Sequence, residues 1–136
     1  TTSMCPTFSE YFAKSLEERF QVPYTQKVMP IGLDNTDLWL REIGKFLGKE
    51  DEVEAVIKEE RERVEPKIKE LREKLEGKRV FVSAGQSRAV GIPNLLSDLG
   101  MEIVGVTAYH YDEVIFESVE NLKKICGDFC VNIANV

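Results

Sequence analysis

Four places in this 136-residue chain carry residue types that could do chemistry: Cys5, the stretch "AGQSRAVG" from Ala84, the run "HYDE" from His110, and the pair Cys126 and Cys130. Cys5 directly precedes Pro6, which suits a first helical turn because the amide hydrogen it lacks would be unpaired there. The positive end of a helix favours thiolate, and a thiolate is a soft metal ligand. Judged by its neighbours alone, Cys5 reads as a buried inert thiol, with metal binding as the alternative.

In "AGQSRAVG", Gly85 can take a positive φ or let a ligand approach the backbone. Ser87 can donate a hydrogen bond and Arg88 can pair with an anion. The stretch lacks the glycine spacing of dinucleotide sites, the ending of a phosphate-binding P-loop, and the G-x-S-x-G nucleophile elbow. Two readings stay open, a structural turn or an anion or cofactor contact. His110 is the only histidine and reads as a surface residue, although a triad with Ser87 is conceivable. Asp112 and Glu113 read as acids opening the next helix, with metal binding the other option. "CGDFC" has three intervening residues where common zinc and redox motifs have two, so Cys126 and Cys130 read as small semi-buried thiols near a strand.

The elements that must position these residues follow from periodicity. Phe8, Tyr11, Phe12, Leu16 and Phe20 share one helix face over 6–20. Pro23 and Pro30 bracket a short extended piece around Tyr24 to Met29. Asp34, Asn35 and Thr36 are expected to cap a helix that carries Leu40, Ile43, Phe46 and Leu47 and ends at Gly48. From Lys49 to Glu76 the spacing predicts one long charged amphipathic helix, which Pro66 should kink or split. "KRVFVSA" and "MEIVGVTAY" read as buried strands, joined through the "AGQSRAVG" loop and a helix over "IPNLLSDLG" with Pro93 near its start. Such a unit has parallel strands and a right-handed crossover. A helix over "EVIFESVENLKKIC" and a short strand in "FCVNIANV" extend the pattern. The fold class is therefore α/β: a Rossmann-like parallel sheet with flanking helices over 77–136, preceded by a helical segment over 1–76.

Net charge −6 argues against a nucleic-acid or anionic-membrane surface, and no long apolar run or signal peptide is present. Three cysteines in a chain with a substantial core do not form a secreted disulfide framework, so the expected compartment is cytoplasmic.

End to end, the order of features resembles the alpha-type subunit of the nitrogenase component 1 superfamily. The likeness rests on "CPTFSEYFAKSLEERFQVPY", "PIGLDNTDLWLREIG", "LEGKRVFV" and "SDLGMEIVG", with gapless spacing from Cys5 to Pro23-Tyr24 and from Gly77 to Gly100. The resemblance implies Rossmann-like domains and an interior slice of a longer multi-domain subunit. It implies that Cys5 binds the terminal iron of an iron–sulfur cofactor of FeMo type in the full-length parent, with none expected in this piece alone. It also implies a beta-type partner subunit and an ATP-dependent iron-protein reductase, while the isolated piece could self-associate. The family's Gly-Gly-x-Arg-Pro-Arg-His pattern is matched at Gly85 and Arg88, with Ser87 between. Gln86 stands for the second glycine, and Ala89, Val90 and Gly91 for the Pro, Arg and His. A cofactor-assembly scaffold or a divergent nitrogenase-like reductase is an equal reading of these departures, and a small anion- or nucleotide-binding module is a further one.

Overall fold

A computed structural model describes residues 6–25, 29–109 and 114–134. Cys5, His110, Asp112 and Glu113 lie outside them. Two compact units divide at Val64/Glu65.

The first unit holds α1 (Pro6–Phe20), α2 (Leu33–Leu47) and the first part of α3 (Glu50–Leu75). Between α2 and α3, Gly48 takes a left-handed φ of 61°, and the next amide, of Lys49, donates to the Gly44 carbonyl at 2.9 Å. The two helices approach closely at Gly44, where a Cβ would lie 2.9 Å from Val53 Cγ2. Charges tie them further along. The Arg61 guanidinium donates to Asp37 and Asp34, each at 2.7 Å, and Arg41 forks onto Glu54 at 2.6 and 3.0 Å.

Two expectations change here. Asp34, Asn35 and Thr36 do not cap α2, because the helix already starts at Leu33 behind Gly32. Inside the first turn, Thr36 Oγ1 donates back to the Gly32 carbonyl at 2.7 Å, and Asn35 Nδ2 donates to that of Ile31 at 3.3 Å. Pro66 does not split α3, which runs unbroken through it. One backbone bond is lost there, but half-buried Val64, Ile68 and Leu71 and pairs such as Lys67–Glu70 continue on both sides.

The second unit takes the last turns of α3 because Arg72 and Glu76 pack around Gly100, and the Gly77 amide donates to the Gly100 carbonyl at 2.8 Å. It continues through β1 (Arg79–Ala84), α4 (Gln86–Asp98), β2 (Glu102–Ala108), α5 (Val114–Cys126) and β3 (Cys130–Ile133). All strands are parallel, in the order β1-β2-β3, so the architecture is α/β with an open parallel sheet. Val82 and Val106 meet Ala89 of α4 and Val119 and Leu122 of α5 in one core, closed by Phe129. On the other face Phe81 lies over Gly105, where a Cβ would come within 2.6 Å of its ring.

The largest correction concerns "AGQSRAVG". It is not a loop: α4 begins at Gln86, and Gly85 alone separates it from β1. Pro93 lies inside the helix, buried, instead of at its start. Its ring costs the backbone bond that the Ala89 carbonyl would accept. Burial of Ala89, Gly91 and Pro93 together against the sheet outweighs that loss.

Candidate functional site at the start of α4

The carboxyl ends of parallel strands, where each loop meets the next helix, are the places where α/β sheets bind ligands. Here that edge holds Ala84 and Ala108, with the Tyr109 amide donating to the Ala84 carbonyl at 3.3 Å and the Ser83 hydroxyl 3.0 Å from the Tyr109 hydroxyl. Gly85 turns the chain from β1 into α4.

The φ of Gly85 is −59°, which any residue adopts, so the positive-φ reason for a glycine does not apply. Its missing side chain instead leaves bare backbone. A Cβ there would meet only Arg88 Nη2, 3.7 Å away. Among the described residues no side chain caps α4, and its first turn contains no acid, so no carboxylate of that turn offsets the positive end of the helix. Arg88 is exposed, and no carboxylate pairs with it among the described residues. Ser87 is half-buried in the same turn.

Gly85, Ser87 and Arg88 thus lie within one helical turn. Together, bare backbone, the amides of a helix start and a guanidinium without a carboxylate partner among the described residues suit an anion. Gln86, read from sequence only as a departure from a glycine, belongs to this turn as well. It is 6% exposed, and its Oε1 is fully buried without a hydrogen-bond partner among the described residues. Its one sequence signal was an amide at the strand–helix junction, between the apolar Ala84 and Ala89.

The other candidates are less suited to chemistry. Burial pushes the Cys126 thiol above its ordinary range, against a smaller opposing effect of a hydrogen bond with Ser97. A neutral thiol is a poor metal ligand. Cys130 is exposed on β3, and among the described residues no group of acids, histidines and cysteines could hold a metal ion.

The sequence profile of the family described as "Nitrogenase component 1 type Oxidoreductase" matches residues 1–132. The chain belongs to the nitrogenase component 1 family. It is 34% identical over 121 residues to the "Nitrogenase molybdenum-iron protein alpha chain" of Methanococcus maripaludis, covering 88% of this chain and 25% of that protein. Over 132 residues it is 28% identical to the "Nitrogenase iron-molybdenum cofactor biosynthesis protein NifE" of Mesorhizobium japonicum, covering 92% of this chain and 26% of that one. The solved structure "Nitrogenase Cp1 at pH 6.5" superposes with a TM-score of 0.83 at 24% identity, over 98% of this chain and 29% of its own. That likeness is one of fold. The chain spans about a quarter of the length of the curated nitrogenase relatives it matches.

Proposed function

We propose that the chain is the part of a nitrogenase component 1 alpha-type subunit that grips an anionic iron–sulfur cofactor of FeMo type for multi-electron reduction. The observation that carries this reading is Arg88: a guanidinium folded back toward Gly85, without a carboxylate partner among the described residues, at a helix start whose first turn contains no acid. Such a cofactor, when bound, stores and delivers several electrons.

The chain's own residues have three tasks. Gly85 lets the anion reach the backbone, where the first amides of α4 donate to it. Ser87 adds a hydroxyl and Arg88 balances negative charge. By family resemblance, Cys5 supplies a thiolate to the terminal iron, since a soft thiolate suits iron. A beta-type partner and an ATP-dependent iron-protein reductase complete the proposed system.

A second reading has its own support, because 92% of the chain also aligns with a cofactor biosynthesis protein. In that reading the same residues hold the cofactor during maturation and release it without turnover. Anaerobic reconstitution of the full-length protein with iron and sulfide tests the site common to both. Cys5→Ala should lower bound iron and change the electron paramagnetic resonance spectrum; unchanged content and spectrum would exclude Cys5 as a ligand. Reduction of substrate by the loaded wild type, with reductase and ATP, then separates an enzyme from a scaffold.

A further inference from the structure

The chain passes from the first unit to the second once, between Val64 and Glu65, and it does so inside the unbroken helix α3. Pro66 follows directly. It has no amide hydrogen to offer the Glu62 carbonyl, and its ring crowds that oxygen. At 3.6 residues per turn, Val64 and Ile68 stand nearly opposite Pro66 on the helix. Those two are half-buried, whereas Glu62, Pro66 and Lys67 are exposed. The weakened turn therefore opens on the solvent side, where water takes the place of the missing donor.

Further contacts fasten the helix before and after this turn. Ahead of it, Arg61 donates to Asp34 and Asp37 of α2. Beyond it, Arg72 packs on Gly100. Arg63 pairs with Glu60 and Lys67 with Glu70, each on its own side of Pro66. Arg63 and Lys67, one turn apart across the proline, carry like charge and do not brace it.

We infer that α3 is a jointed helix with Pro66 as its hinge. It bends toward the side of Val64 and Ile68, with Pro66 on the convex face, because the backbone bond is already missing there. The ties on either side confine the bending to the turn between Glu62 and Pro66. This turn lies where the two units divide, so α3 yields before the contacts inside either unit do.

Nitroxide labels at Glu59 and Glu73 read the bend. Both positions are exposed and lie on the Pro66 face, about 21 Å apart along a straight helix. Carried on non-natural keto side chains, the labels leave the three cysteines in place. Double electron–electron resonance should give a broad distance distribution in the wild type. Pro66→Ala, which restores the bond to the Glu62 carbonyl, should narrow it. Equal widths in the two proteins overturn the inference. Hydrogen exchange followed by NMR locates the flexing turn in the wild type alone, so that result stands even if the variant folds poorly. The Lys67 and Ile68 amides should be about fivefold less protected than those of Ile57 and Leu71, the worth of one backbone bond. Equal protection along α3 would mean that the helix is rigid through Pro66, and the hinge fails.

Discussion

Arg61 and Arg41 each reach a carboxylate and join two helices, whereas Arg88 points its charge at a glycine and is left unpaired among the described residues. An exposed arginine without partners adds little to stability, so its removal should show in binding alone. Arg88→Ala is expected to leave urea unfolding within about 0.5 kcal/mol of wild type. Sulfate binding should weaken about tenfold or more, the usual worth of a charge-assisted contact. A large loss of stability would mean that Arg88 holds the fold. The cysteines also part at this scale. Because burial raises the Cys126 thiol pKa, the folded chain holds that proton more tightly than the unfolded one. Its contribution to stability is full below the unfolded thiol pKa and is lost as pH rises toward the folded value. Iodoacetamide at mildly alkaline pH should therefore alkylate exposed Cys130 well before Cys126, as mass spectrometry of timed samples would show. Equal rates would contradict the burial of Cys126.

Helix pairing in the first unit depends on a few close contacts, and the ion pair of Arg61 with Asp37 is more sheltered than that of Arg41 with Glu54. The Arg61 and Asp37 side chains are 24% and 14% exposed. Arg61→Met keeps the aliphatic stem but strands the Asp37 carboxylate, so it should cost about 1–2 kcal/mol, between an exposed and a buried pair. Urea unfolding measures it, and Arg41→Met at the more exposed Glu54 pair should cost less. Most elements were legible because hydrophobic spacing marks their extent: α1, α2, α3 and both long strands fall where periodicity puts them, although Tyr11, Phe12 and Phe20 on the expected α1 face and Phe81 of β1 are exposed. The start of α4 was not legible. Pro93 with an apolar run behind it mimics a helix start, and Gly85 and Gly91 punctuate the stretch like a loop. Only packing against β1 and β2 reveals that the helix begins at Gln86. That shift matters for the site, since Ser87 and Arg88 become residues of a helix's first turn. The orphan amide of Gln86 was beyond sequence reading for another reason: hydrogen-bond satisfaction depends on tertiary neighbours, which spacing does not encode.

Across the whole molecule, the apolar surface left in view is larger than a small acidic protein needs. Phe12 is 64% exposed, Phe81 55% and Ile125 63%. In the second unit the cause is architectural. Helices α4 and α5 supply core residues to one face of the sheet, while Phe81, Ser83, Cys130 and Asn132 on the other face are exposed. Parallel sheets in native proteins are ordinarily covered on both faces. No described helix is long and apolar enough to cross a membrane, so a bilayer-spanning helix does not account for this surface. Net charge of −6 opposes contact between copies, and salt screens that repulsion. Two opposing effects therefore set the outcome, and ionic strength tips the balance. The isolated chain should sediment near its monomer mass when dilute in low salt, and as larger species when concentrated in high salt. Phe81→Lys, which puts a charge on the open face, should reduce that association. A salt response of the opposite sign would make surface charge pairing, as in the ion-pair-rich α3, the cause of association in place of apolar burial. Since Phe81 lies over Gly105, the substitution must be paired with a melting curve; loss of association with the fold retained is the result that assigns this face.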